Sequence, residues 1–89
     1  MSVWSTAQGT VTIDNSEHFS LKKYTHSLFD EVSLNIEYGP EDHLRTDKFY
    51  MSVCLDGQQA MDFFAKWVEG IPGHVDMTIE LRMLKASKN

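Results

Sequence analysis

Asp14-Asn15-Ser16-Glu17-His18-Phe19-Ser20-Leu21-Lys22-Lys23-Tyr24-Thr25-His26-Ser27-Leu28-Phe29-Asp30-Glu31 admits two readings, and the choice between them decides the fold. As a helix, Asp14 and Glu17 form a capping pair, and Leu21, Tyr24, Thr25 and Leu28 make an apolar stripe at spacings of three and four. As a strand, Phe19 and Leu21 fold back across a short Asn15-Ser16-Glu17 turn to pair with Ile13 and Val11. Ser20, Thr25, His26 and Ser27 are mediocre helix formers, which favours the strand locally. The rest of the chain favours the helix. A sheet with one apolar face needs cover, and one helix of about 15 residues cannot cover four strands. A helix over 15–30 is therefore expected.

The elements around this stretch are better marked. Over 57–71, Ala60, Phe63, Phe64, Trp67, Val68 and Ile71 fall on one side of a helical wheel, while Gln58, Asp62, Lys66 and Glu69 fall on the other. Asp56 supplies an N-cap with Gln59 three residues on, and Gly70 followed by Pro72-Gly73 stops the helix. Alternation with period two marks three strands. Over 74–84, Val75, Met77, Ile79, Leu81 and Met83 alternate with His74, Asp76, Thr78, Glu80 and Arg82. Over 49–55, Phe49, Met51, Val53 and Leu55 alternate with Tyr50, Ser52 and Cys54. Over 32–38, Val32, Leu34, Ile36 and Tyr38 alternate with Ser33, Asn35 and Glu37. A first strand fits 7–13, with Gly9 as a bulge, and its register carried back points Val3 and Ala7 inward and Trp4 outward. The expected fold class is α+β with the ferredoxin-like order β-α-β-β-α-β: a four-stranded antiparallel sheet with two helices on one face. The alternative is a five-stranded antiparallel meander packed on the 57–71 helix alone.

Eighty-nine residues make a single domain, 1–89, near the lower limit for a core without disulfides or metal. No apolar run approaches the roughly 20 residues of a membrane span. Met1-Ser2-Val3-Trp4-Ser5 lacks the basic start and apolar stretch of a secretory signal. A lone cysteine, Cys54, forms no internal disulfide, so a reducing, cytoplasmic location is the expectation. Eight Lys and Arg against thirteen Asp and Glu give a formal charge of −5, a poor match to a phosphate backbone.

The chemistries that this β-α-β-β-α-β order hosts elsewhere each need residues that are missing here. RNA-binding versions carry aromatic and basic residues on the two central strands. The outward positions of 7–13 and 49–55 are Gln8, Thr10, Thr12, Tyr50, Ser52 and Cys54, of which only Tyr50 is aromatic and none is basic. Metal chaperones use Cys-x-x-Cys, which is absent. The Gln8-Gly9 step resembles the phosphate loop of acylphosphatases, but no arginine follows before Arg45, so nothing neutralises a transferred group. His18, His26, His43 and His74 show no paired-ligand spacing. His18 and His26 share a side of the expected helix, too far apart for one ion. His74 and Asp76 share a strand face and, with Asp42 or His43, form the one combination that bears testing as a metal or acid–base site. No catalytic residue, cofactor or metal is expected.

The segment 39–48, Gly39-Pro40-Glu41-Asp42-His43-Leu44-Arg45-Thr46-Asp47-Lys48, reads as a loop longer than a hairpin needs, with Leu44 at its tip. Phe63, Phe64 and Trp67 read as core, as do Met51, Met61, Met77 and Met83, while Trp4 stands outward beside Tyr50. These features converge on a small acidic protein that binds another protein stoichiometrically. Its role would be inhibition or antagonism of a larger partner with a basic surface, itself a candidate nucleic-acid binder, in the manner of phage inhibitors or toxin-immunity proteins. The expected contact residues are Trp4, Glu37, Glu41, Asp42, Leu44, Tyr50, Asp76 and Glu80. The alternative is a homodimer through the sheet face, enclosing a small-molecule site, regulatory or enzymatic without a cofactor, with His74, Asp76 and Tyr50 as acid–base groups.

Overall fold

The computed structural model describes residues 3–83. The chain runs β1 (Val3–Asp14), a one-turn 3₁₀ segment (Asn15–Glu17), α1 (Leu21–Leu28), β2 (Val32–Glu37), β3 (Leu44–Val53), α2 (Gly57–Glu69) and β4 (His74–Met83). The strands form one sheet in the order β2-β3-β1-β4, with every neighbouring pair antiparallel. Both helices lie on the face where Ala7, Val11, Ile13, Met51 and Val53 are buried. The side chains of Val3, Arg82 and Met83, and the expected end of the last strand at residue 84, lie outside the described residues. No helix among those residues is long and apolar enough to cross a membrane.

The ambiguous stretch is helical, but shorter than expected and capped by a different residue. Asp14 accepts from the Ser16 N–H (2.9 Å) and hydroxyl (2.7 Å), and so caps only the 3₁₀ turn. His18 then takes a left-handed φ of 54°, which ends that turn. Ser20, with extended backbone, accepts from the Lys23 N–H at 3.3 Å and starts α1 afresh. The apolar stripe is as read: Leu21 and Thr25 are buried, and Tyr24 and Leu28 pack at the edge of the core. Two expectations change. No fifth strand forms among the described residues, which removes the meander. His18 lies in the turn before α1, so it shares no helix face with His26.

The second half of the expected 39–48 loop is strand, because β3 begins at Leu44 rather than Phe49. The misreading has a physical cause. Asp47 stands on the inward side of β3, opposite Val11, and is 1% exposed. Its charge is met by Arg45, whose Nε donates to both carboxylate oxygens at 3.0–3.1 Å. Arg45 Nη2 also reaches the Phe19 carbonyl (3.0 Å), and the Gly39 N–H donates to Asp47 Oδ1 (3.1 Å). One buried ion pair thereby ties β3 to the turn before α1 and to the exit of β2. At Gly9 there is no bulge: β1 pairs continuously through it on both sides. Glycine is needed there because a Cβ would overlap the Asp76 carbonyl of β4.

The helices are fastened to each other as well as to the sheet. Asp56 caps α2 by accepting from the Gln59 N–H at 3.0 Å, and Ala60, Phe64 and Trp67 are fully buried. The Trp67 ring lies 4.9 Å from that of Phe49, in a tilted contact, and its Nε1 donates to Thr25 Oγ1 at 2.8 Å. Thr25 in turn donates to the Leu21 carbonyl. The Tyr24 hydroxyl donates to the carbonyls of Trp67 (2.7 Å) and Lys66 (3.3 Å), closing the C-terminal end of α2. Gly70 is required beside it, since a Cβ would collide with that hydroxyl. Among the described residues no buried side-chain polar atom lacks a partner. Met51 and Met77 belong to or line the core as expected, but Met61 is 42% exposed and Leu81, expected inside, is 44% exposed. Leu81 stands in β4 beside Gly57 at the start of α2, and Met61 lies one turn further along that helix.

Candidate functional site

Strand pairing fixes what the uncovered face presents, because residues directly opposite each other share a face. Three rows cross the sheet from β2 to β4: Asn35-Tyr50-Gln8-Thr78, then Glu37-Lys48-Thr10-Asp76, then Ser33-Ser52-Thr6-Glu80. Beyond the second row come Thr46-Thr12-His74, where the two threonine hydroxyls are 3.1 Å apart, and then Leu44 with Asp14. Thr and Ser fill the middle of the face, and the charged groups stand mainly on the outer strands.

An open concavity of about 540 Å³ lies across the first two rows, bordered by Gln8, Thr10, Asn35, Glu37, Lys48, Tyr50 and Thr78. Tyr50, 46% exposed, is the large aromatic side chain in it. Glu37 and Lys48 approach to 4.0 Å with both groups in solvent, a pair worth little energetically that nonetheless offsets one acidic charge. The remaining acidic groups, Asp76 and Glu80, lie on the opposite edge in β4. At the far end, Asp14 is held below the ordinary carboxylate pKa by the Ser16 N–H and hydroxyl that it accepts from, with His43 adding attraction.

Of the expected contact residues, Glu37, Tyr50, Asp76 and Glu80 stand on this face, and Glu37 and Tyr50 both border the concavity. Trp4 and Leu44 have the same facing and are exposed, but at opposite ends of the sheet. Trp4 is not beside Tyr50: it precedes Gln8, the residue facing Tyr50, by four positions, a separation of roughly 14 Å. Glu41 and Asp42 lie outside the sheet in the segment before β3, where Asp42 accepts from the His43 backbone and ring nitrogens at 2.8 and 3.3 Å. Cys54, expected at an outward position of the 49–55 strand, is exposed just past the end of β3.

The acid–base candidates are dispersed. Strand spacing puts Asp76 roughly 12 Å and His74 roughly 16 Å from Tyr50 across the face, beyond any direct proton transfer. Among the described residues no three His, Cys, Asp or Glu side chains gather as a metal site. The residues not singled out beforehand are Gln8, Thr10, Asn35, Lys48 and Thr78. Strand parity places four of them outward. Lys48 was hidden by the reading of 39–48 as loop.

No protein family matches the chain, and no curated protein does. Among solved structures the chain is similar to a de novo designed protein, Foldit4, with a TM-score of 0.54 and 5% sequence identity, over 96% of this chain and 100% of that one. At that identity the likeness concerns the course of the backbone alone.

Proposed function

We propose that the protein acts by stoichiometric binding of another protein with a basic surface, through the open face of its sheet. One observation carries this reading. Both helices cover one face, and the other leaves an exposed Tyr50 in a shallow polar depression, with Glu37 on one side of the sheet and Asp76 and Glu80 on the other. An aromatic anchor inside a polar rim is the anatomy of protein contact surfaces. Acidic groups at the periphery would steer encounter with a cationic partner more than they would add affinity. A split βαβ, ferredoxin-like arrangement belongs in the same proposal, supported by the β-α-β-β-α-β element order and a four-stranded antiparallel sheet with both helices on one face. An inhibitory or antagonist role in a reducing compartment, with exposed Cys54 free to remain a thiol, completes the reading.

The test compares baits in the native cell extract: the wild-type chain, a Glu37→Lys/Glu80→Lys chain, and a chain altered on the exposed helix side at Lys66→Ala. A basic protein recovered in equimolar amount by the wild type and by the helix-side variant, but not by the charge-reversed one, supports the reading. Association kinetics with that protein should slow as salt rises through the physiological range. Equal capture and equal rates for all three baits refute it. A second reading has its own observation: about 540 Å³ falls in the size range of small-molecule sites, so a second sheet laid over the depression would enclose a ligand chamber. Metabolite-induced thermal shifts abolished by Tyr50→Ala would favour it.

A further inference from the structure

The sheet ends in two edges of unlike kind. β2 is six residues long, packs against α1 and runs into Tyr38-Gly39-Pro40, whose proline has no N–H to offer a further strand. β4 is ten residues long and pairs with β1 residue for residue, from Val3↔Met83 to Thr12↔His74. Natural edges are blunted by short length, bulges, prolines, charged side chains or inward-pointing charges. β4 is long and has no proline, bulge or inward charge: its inward positions are Val75, Met77, Ile79 and Leu81, its acidic residues Asp76 and Glu80 stand on the open face, and among the described residues no strand pairs with its outer side. The two misplaced apolar residues of the fold gather beside it. Leu81 reaches the first turn of α2, its Cδ1 3.8 Å from the position of a Cβ on Gly57, and Met61 follows one turn along that helix.

We propose that β4 is a dimerisation edge: two copies of the chain pair their β4 strands antiparallel about a two-fold axis through Ile79, joining their sheets into one of eight strands. The sequence of β4 is self-complementary in that register. Ile79 meets its own copy, Met77 stands opposite Leu81, and Asp76 stands opposite position 82, an arginine, twice over. An axis through Thr78 would oppose Asp76 to Glu80 twice, and one through Met77 would shorten the ladder to 74–80. The Ile79 register is thus the longest that opposes no like charges. Pairing there sets the two open faces side by side on one surface. It is independent of what those faces bind.

The test uses the purified full chain in sedimentation equilibrium or light scattering, from roughly 1 to 500 µM, since an edge contact of this size suits a micromolar dimer. The wild type should pass from 10.2 kDa to twice that mass. Asp76→Arg and Arg82→Asp, each alone, should raise the dissociation constant about tenfold or more, and the two together should restore it. Melts of each variant confirm folding. Hydrogen exchange on the wild type needs no variant: outward amides of β4 should slow as concentration rises, while those of β2 do not change. A monomer at all concentrations, a dimer indifferent to both reversals, or one not restored by the double change overturns the proposal. So does a dimer lost on Tyr50→Arg alone, which would move the interface to the open face.

Discussion

Replacing Asp47 by alanine should be among the most damaging single changes outside the apolar core. The carboxylate is 1% exposed and accepts three hydrogen bonds, two from Arg45 Nε and one from the Gly39 N–H. Removing it leaves a guanidinium, itself only 12% exposed, still held by the Phe19 carbonyl but without its counter-charge. Breaking one side of such a pair costs about 3–5 kcal/mol. A domain of 89 residues has a total stability of about 4–13 kcal/mol, so the variant should be partly unfolded or close to it. Asp47→Asn keeps an acceptor for Gly39 but loses the charge, and should cost about 1.5–3 kcal/mol. The decisive variant is the double one, Arg45→Met with Asp47→Leu. Apolar replacement of a whole buried pair is often neutral, so part of the loss should return, less about 1 kcal/mol each for the stranded Phe19 carbonyl and Gly39 N–H. Urea titrations followed by circular dichroism give each value. An Asp47→Ala loss below about 1 kcal/mol, or a double variant as weak as the sum of the singles, would refute the role given to this pair.

Trp67→Ala should cost about 3–5 kcal/mol in the same titration, through lost contact with Phe49 and a cavity under both helices; Trp67→Phe should cost less, because a ring still fills most of that space beside Phe49. Tyr24→Phe should cost about 0.5–1.5 kcal/mol by uncapping the end of α2. Tyr24 also gives an alkaline signature. Burial holds its phenol pKa above the ordinary 10.0, so the unfolded chain ionises first and the wild type should lose stability as pH rises past 10, a component that thermal melts of Tyr24→Phe should lack.

The sequence was most legible where one periodicity ran unbroken. The α2 stripe with its Asp56 cap, and the alternation of β4 as far as Ile79, translated directly into structure because there residue type agreed with environment; Leu81, exposed, is where β4 departs. Legibility failed where polar residues occupy apolar positions. Arg45 and Asp47 break the alternation of β3 on paper, yet they are partners, and a pair two residues apart on one strand face was the available signal. Thr25 likewise looked like a poor helix residue, whereas its hydroxyl serves both the Leu21 carbonyl and the Trp67 indole. Asp14 was read as the cap of α1 because nothing local distinguishes a cap for a 3₁₀ turn from one for a full helix. The left-handed His18 separates the two.

The open face was legible in parity but not in grouping. Alternation says which way Glu37, Tyr50, Asp76 and Trp4 point; only the register of β1 with β3 and β4 says which of them are neighbours. That register separates Trp4 from Tyr50 and brings Lys48 against Glu37, so the candidate surface is a tyrosine-centred depression with its acidic charge displaced to the two edges. A residue's facing determines what it can touch above the sheet, whereas a strand's position in the order determines whether its backbone is already satisfied. β1 and β3 are satisfied on both sides and β2 is short and closed by Gly39-Pro40, which leaves the two proposed modes of recognition, side chains on the face and backbone along β4, physically distinct and separately mutable.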